Sequence, residues 1–238
     1  MAEEEEVLYI EYEEEDEESS SSVEIEFDTN TTPSFHRVLT DSDITRMAMN
    51  DIKKKYNGSS NSSVDERIVR DFYTISKRHP KELGFTVLPY NNDIHVWEVR
   101  LWSFDKDTPI YKDMQIFEAK TGRNYIELRV SFPPNYPIHP PFIRVVYPRC
   151  TGERVLNGGA FCISALTLTK EDGWSPIYDF EDLLSSILVE MRSQTVSDPL
   201  RINFENDTPY SVQEAISTYR RLAGIHGWTA VIKGYTPQ

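Results

Sequence analysis

The chain is poor in cysteine, has no positive charge where its negative charge is densest, and has no long apolar run. Cys150 and Cys162 are its two cysteines in 238 residues. That is too few for a disulfide framework, and without CxxC or HxxxH spacing they propose no zinc site. No stretch approaches the ~18 apolar residues of a membrane span. The N-terminus lacks the basic-then-apolar order of a secretory signal. Lys and Arg form no cluster beyond short runs, which argues against a nucleic-acid or anionic-membrane partner. These absences predict a soluble protein of the cytoplasm or nucleus, read as a monomer.

The charge that is present is unevenly placed. Of 39 Asp and Glu residues, 14 lie in residues 1–28, where no Lys or Arg occurs, leaving 25 acids against 25 bases in the rest. Residues 3–18 read EEEEVLYIEYEEEDEE and are followed by four serines. Self-repulsion in such a segment opposes compaction, so residues 1–62 are expected to form an acidic, largely disordered region. Its functional reading is a docking arm, and Ser21 with Glu24 three residues on is an acid-directed phosphate acceptor. Residues 42–55 have a short helix pattern, and the linker Asn57-Gly58-Ser59-Ser60-Asn61-Ser62-Ser63 marks the boundary of a domain over 63–238.

Within that domain, Val64, Ile68, Phe72 and Ile75 recur at helical spacing, with Asp65 and Glu66 at the start and Lys77 and Arg78 at the end. This predicts an amphipathic helix. Apolar alternation then predicts four strands: Phe85 and Val87; Ile94 to Leu101; Ile126 to Phe132; and Phe142 to Tyr147. Asn91-Asn92-Asp93 and Thr121-Gly122 are read as turns between successive strands, giving an antiparallel meander. Beyond residue 148 strand alternation stops. Asp179 caps one later helix, and Ser211 with Glu214 is a capping-box signature for another. The class is α+β, with an N-terminal helix, a four-stranded antiparallel meander and C-terminal helices.

The specific residues lie between strand four and the last helix. They are Tyr136-Pro137-Ile138-His139-Pro140-Pro141, then Gly158-Gly159-Ala160-Phe161-Cys162, Trp174-Ser175-Pro176 and Asp198-Pro199-Leu200. In this order the chain resembles the ubiquitin-conjugating enzymes from residue 64 to about 228. It is most similar to their Q-type subfamily, through the acidic N-terminal region, Pro-Pro-Phe-x-Arg-Val-Val at 140–146, Gly-Gly-Ala-x-Cys and a tail with Ile225-His226 and Gly227-Trp228. A nucleophilic sulfur must be accessible and ionisable. Cys162, in a loop beside two glycines, fits that need, whereas Cys150 follows a strand and reads as a small buried hydrophobe.

The resemblance implies that Cys162 receives ubiquitin from an activating enzyme as a thioester and hands it to a lysine or to a ligase. ATP is then used by the activating enzyme, and no cofactor binds here. Most of the family place His-Pro-Asn ahead of the cysteine, and its Asn steadies the oxyanion. Here an ungapped count finds Gly152-Glu153-Arg154, as the Q-type subfamily also lacks the triplet. Arg154, the amide of Asn157, and backbone N–H groups near Gly158 and Gly159 are the alternative donors. Asp198 matches an acidic residue that orients the incoming amine. The family's surface for activating enzyme and ligases maps to Arg67 and Arg70 on the first helix and to Ile138, Pro176 and Ile177. His139 and His226 are read as neither ligands nor bases. Two further classes remain: a non-catalytic ubiquitin-pathway adaptor, and a cysteine hydrolase, for which His139 is the nearby candidate base.

Overall fold

A computed structural model describes residues 63–168, 173–192 and 197–228. The acidic segment, the 42–55 helix pattern and the last ten residues lie outside them. Helix α1 (Ser63–Ser76) buries Ile68, Phe72 and Ile75, the face that the periodicity predicted. A one-turn helix α2 (Pro80–Leu83) follows, with His79 accepting the Lys81 N–H at 3.1 Å and Pro80 at its first position.

Strands β1 (Phe85–Tyr90), β2 (Asp93–Leu101), β3 (Ile126–Ser131) and β4 (Phe142–Tyr147) form one antiparallel sheet in sequence order. Asn91 and Asn92 at φ 52° and 57° supply the left-handed pair that a tight β1–β2 hairpin needs. In register, Val87 pairs with Val99, Val99 with Leu128 and Leu128 with Val145. This row lines the core. Trp97, fully buried, is edge-on to Phe72, Phe132 and Phe180, so one indole ties α1 and a later helix to the sheet.

The expected turn between β2 and β3 is instead a helix, α3 (Pro109–Thr121). Thr108 caps it by accepting the Tyr111 N–H at 3.3 Å, and Pro109 opens it. Gly122, read as a turn residue, is the left-handed C-cap at φ 72°. Ile110, Met114 and Phe117 bury one face, a helical spacing that the search for strand alternation passed over.

A two-stranded ribbon of β5 (Cys150–Thr151) and β6 (Arg201–Ile202) was also not foreseen. It is held to α3 by Asp113, whose carboxylate accepts from the Arg201 guanidinium at 2.6 and 2.9 Å and from the Ile202 N–H at 3.0 Å. Helix α4 (Phe180–Arg192) starts where Asp179 accepts the Glu181 N–H. Helix α5 (Val212–His226) carries the full capping box, with Ser211 Oγ and Glu214 exchanging bonds at 3.2 and 2.7 Å. No helix among the described residues is long and apolar enough to cross a membrane.

Candidate active site

Residues 152–162 form a tight hairpin between β4 and α5. Leu156 N–H bonds Ala160 O at 3.0 Å, Val155 pairs with Phe161, and Cys162 N–H bonds Arg154 O at 2.9 Å. Gly158 and Gly159, at φ 112° and 81°, make the tip possible. A Cβ on Gly158 would lie 2.2 Å from Thr218 Oγ1, and one on Gly159 would lie 2.6 Å from Val145 O. The glycines therefore let the hairpin sit between strand and helix; the expectation that they admit a bulky peptide tail is replaced by this packing role.

Cys150 is fully buried, and burial pushes its thiol up to about 12, which fits the inert reading. Cys162 is half-buried at the edge of a small cluster formed by Phe142, Ala160, Ala215, Ile216, Tyr219 and Leu222. Burial is the main influence raising its thiol above the ordinary range. Arg154 pulls it down and Glu153 pushes it up. A thiol so placed needs help to ionise.

That help lies at the end of α5. His226 Nε2 is 3.5 Å from Cys162 Sγ, and the imidazole stacks on Trp228 with centroids 4.4 Å apart and planes 17° apart. The helix ends with Gly227 in the left-handed conformation and Trp228 N–H bonded to Ala223 O, which turns the indole back onto the histidine. The reading of His226 as no base is thereby corrected, and the base for a hydrolase-like pair is not His139. Sequence reasoning missed it because 64 residues separate the two side chains.

The other candidates are distributed around this pair. Arg154 Nε lies 2.8 Å from Glu190 Oε2 on α4, off the line of a directed hydrogen bond, so the contact is an ion pair. Asn157 sits at the hairpin tip, away from Cys162, with its side-chain oxygen accepting from Tyr210 O–H at 3.4 Å. Asp198 is exposed, and its carbonyl accepts the Glu153 N–H at 2.8 Å. Glu153 in turn accepts from Ser197 N–H and Oγ at 3.1 and 3.2 Å. The Asp198 turn is thus docked on the strand that bears Arg154, alongside the thiol.

Ile138 and Ile177 are 65% and 88% exposed, and Pro176 is exposed beside them. Their loops are joined by Trp174 Nε1, which donates to Pro137 O at 2.7 Å. Arg70 is exposed on α1. Arg67 is not available in the same way. It donates to Asp71 at 2.8 Å, to Pro176 O at 3.0 Å and to Tyr178 O at 2.7 Å, fixing the loop rather than offering a free charge. Asp71, which also accepts from Tyr136 O–H at 2.7 Å, is raised by burial, partly offset by Tyr136 and Arg67.

A helix, a four-stranded antiparallel sheet and later helices, with one half-buried cysteine held in a hairpin between sheet and helix, define an α+β domain built around a presented thiol. The family model described as "Ubiquitin-conjugating enzyme" matches residues 67–221, and the chain belongs to that family. It is 34% identical over 188 residues to the human "Ubiquitin-conjugating enzyme E2 Q1", covering 76% of this chain and 42% of that protein. It is 33% identical over 144 residues to a Q-like ubiquitin-conjugating enzyme protein of Mus musculus, covering 58% of this chain and 83% of that one. A Q-like protein of the same name from Drosophila melanogaster is 30% identical over 168 residues, covering 68% of this chain and 51% of its own length. The chain thus spans less than half the length of the first of these relatives. The Q-like character expected from the motifs is the one these relatives carry in their names.

Proposed function

We propose that this chain is a ubiquitin-conjugating enzyme that accepts ubiquitin from an activating enzyme as a thioester on Cys162 and passes it to an acceptor, directly or through a ligase. The observation that carries this reading is the half-buried Cys162 with His226 Nε2 at 3.5 Å. In loading, the sulfur attacks the activated carbonyl, the activating enzyme's thiol leaves, and the proton from Cys162 can pass to the imidazole. ATP is consumed by the activating enzyme and needs no site here. The exposed Ile138, Pro176 and Ile177 patch is the surface for activating enzyme and ligases.

In discharge, an amine or hydroxyl attacks the thioester carbonyl, the thiolate leaves, and the nucleophile's proton must be taken up. His226 is a base in reach of that carbonyl, which supports hydroxyl acceptors as well as lysine: a neutral hydroxyl gains more from a base than an amine does. The oxyanion falls to Arg154, whose charge is already felt at the thiol, or to hairpin N–H groups. Asp198 is the residue proposed to orient an incoming amine.

The test is loading with activating enzyme, ATP and ubiquitin on wild type, Cys162→Ala and Cys150→Ala, followed by discharge onto lysine, serine or threonine. A reductant-sensitive adduct lost only in Cys162→Ala supports the carrier. Ubiquitin binding without an adduct indicates an adaptor that keeps the fold, and discharge on lysine alone removes the hydroxyl reading.

A further inference from the structure

The sheet face turned away from α1 and α4 carries charge that nothing in the catalytic reading uses. Because Val87, Val99, Leu128 and Val145 line the core, their strand neighbours point to the opposite face. There Leu88 pairs with Glu98, Glu98 with Arg129 and Arg129 with Arg144, in one row across all four strands. Leu88, Arg129 and Arg144 are 8%, 9% and 8% exposed. Leu88 and Val146, also buried, belong to neither of the two apolar clusters of the domain. The face is therefore covered, and not by the core.

Its charges do not balance. Glu127 pairs with Arg129 Nη2 at 2.5 Å and Glu98 with Arg100 at 2.8 Å. Arg129 lies over the Tyr90 ring at 3.3 Å, yet its buried Nε and Nη1 have no hydrogen-bond partner among the described residues. Arg144 has a carbonyl, Tyr210 O at 3.0 Å, in place of a carboxylate. Glu214, the other acid in its field, is taken by Arg149 at 2.8 Å and by Ser211. Burial and the adjacent Arg129 push Arg144 down to about 10, the mark of a cation short of a counterion. Two neighbouring buried guanidinium groups without matching acids are costly unless anions reach them.

The chain itself holds the complementary group. Residues 3–18 carry two blocks of Glu and Asp around Val7-Leu8-Tyr9-Ile10, with no basic residue. We propose that this acidic segment docks in cis on the outer face of the sheet, its carboxylates on Arg129 and Arg144 and its apolar centre against Leu88 and Val146. Tethering favours this, since a segment on the same chain is present at an effective concentration on the order of millimolar. Charge-assisted pairs of Arg with carboxylate are among the stronger polar contacts. Docking in this way would make the face available to outside partners only when the segment leaves it.

The experiment uses the full chain and a labelled peptide of residues 3–18, followed by fluorescence anisotropy. In one variant every acid from Glu3 to Glu18 is changed to Gln, which empties the face without shortening the protein. The peptide is expected to bind this variant at least about tenfold more tightly than wild type, whose face is occupied, and to weaken about tenfold between roughly 50 and 500 mM salt. Adding Arg129→Gln should abolish binding and Arg129→Lys should restore part of it, with thermal melting confirming that both fold. Equal binding to wild type and the Gln variant, or retention by a folded Arg129→Gln protein, overturns the proposal. So does light scattering that shows wild type as a dimer and the Gln variant as a monomer, which would seat the segment on a second copy.

Discussion

Gly158→Ala probes the contact that places α5, and with it His226, against the cysteine hairpin. The backbone there has φ 112°, and an added Cβ would stand 2.2 Å from Thr218 Oγ1, 3.0 Å from Thr218 Cβ and 3.1 Å from Glu214 O. Holding an L-residue in that region costs about 1–3 kcal/mol. Thr218 must also turn away from Asn157 O, to which it donates at 2.9 Å, a loss of about 1 kcal/mol. The expected total is about 2–4 kcal/mol, a fall in Tm of roughly 5–15 °C for a domain of this size. Gly122→Ala is the control: φ is 72° but nothing lies within 4 Å, so only backbone strain of about 1 kcal/mol applies. Calorimetry of both variants, with Thr218→Ala added to the first, separates strain from collision. The double variant should lose less than the sum of the singles because the collision is then gone. Equal shifts for the two alanine variants would refute the packing argument. Alkylation of Cys162 by iodoacetamide should slow in Gly158→Ala and stay unchanged in Gly122→Ala.

Other tests address single residues. His226→Gln should reduce thioester discharge by roughly 10²–10⁴-fold while loading of Cys162 remains detectable, and the pH–rate profile should lose its lower limb. Because Arg154 lowers the Cys162 thiol and Glu153 raises it, Arg154→Gln should move the alkylation profile to higher pH and Glu153→Gln to lower pH, as read by mass spectrometry. Arg67→Ala strands Asp71, which is 9% exposed, and should cost about 3 kcal/mol at neutral pH in a denaturant titration. The folded-state value of Asp71 is already raised, so stability it confers is present at low pH and lost as pH rises through that value. Removing Arg67 raises it further, so the deficit should shrink on acidification. Ser211→Ala should cost about 1 kcal/mol through loss of the α5 cap.

Much of the scaffold was legible because its signals are local. The Ile68, Phe72 and Ile75 stripe, the alternation of Ile126, Leu128 and Val130, and the Ser211–Glu214 box each depend on neighbours within one or two turns, and each element formed where they pointed. Helix α3 was missed although its signals are equally local: Thr108-Pro109 and Gly122 are start and stop residues, and Ile110, Met114 and Phe117 lie on one face. Reading Gly122 as a turn hid them, since a left-handed glycine closes a helix as readily as it turns a hairpin.

The order of motifs around Cys162, with the contrast between the two cysteines, was enough by itself to single out the thiol and the family. It was also enough to separate an acidic N-terminal segment from a neutral body, because charge and spacing are properties of the chain. Only the tertiary structure decided that His226 meets Cys162, that Asn157 faces Tyr210, and that Arg67 is spent on the Pro176 loop. It alone paired Arg129 with Arg144 across the sheet. Each of these depends on which distant segments share a surface, and that is set by how helix ends, strand register and the hairpin glycines pack together, information that no single stretch of sequence carries.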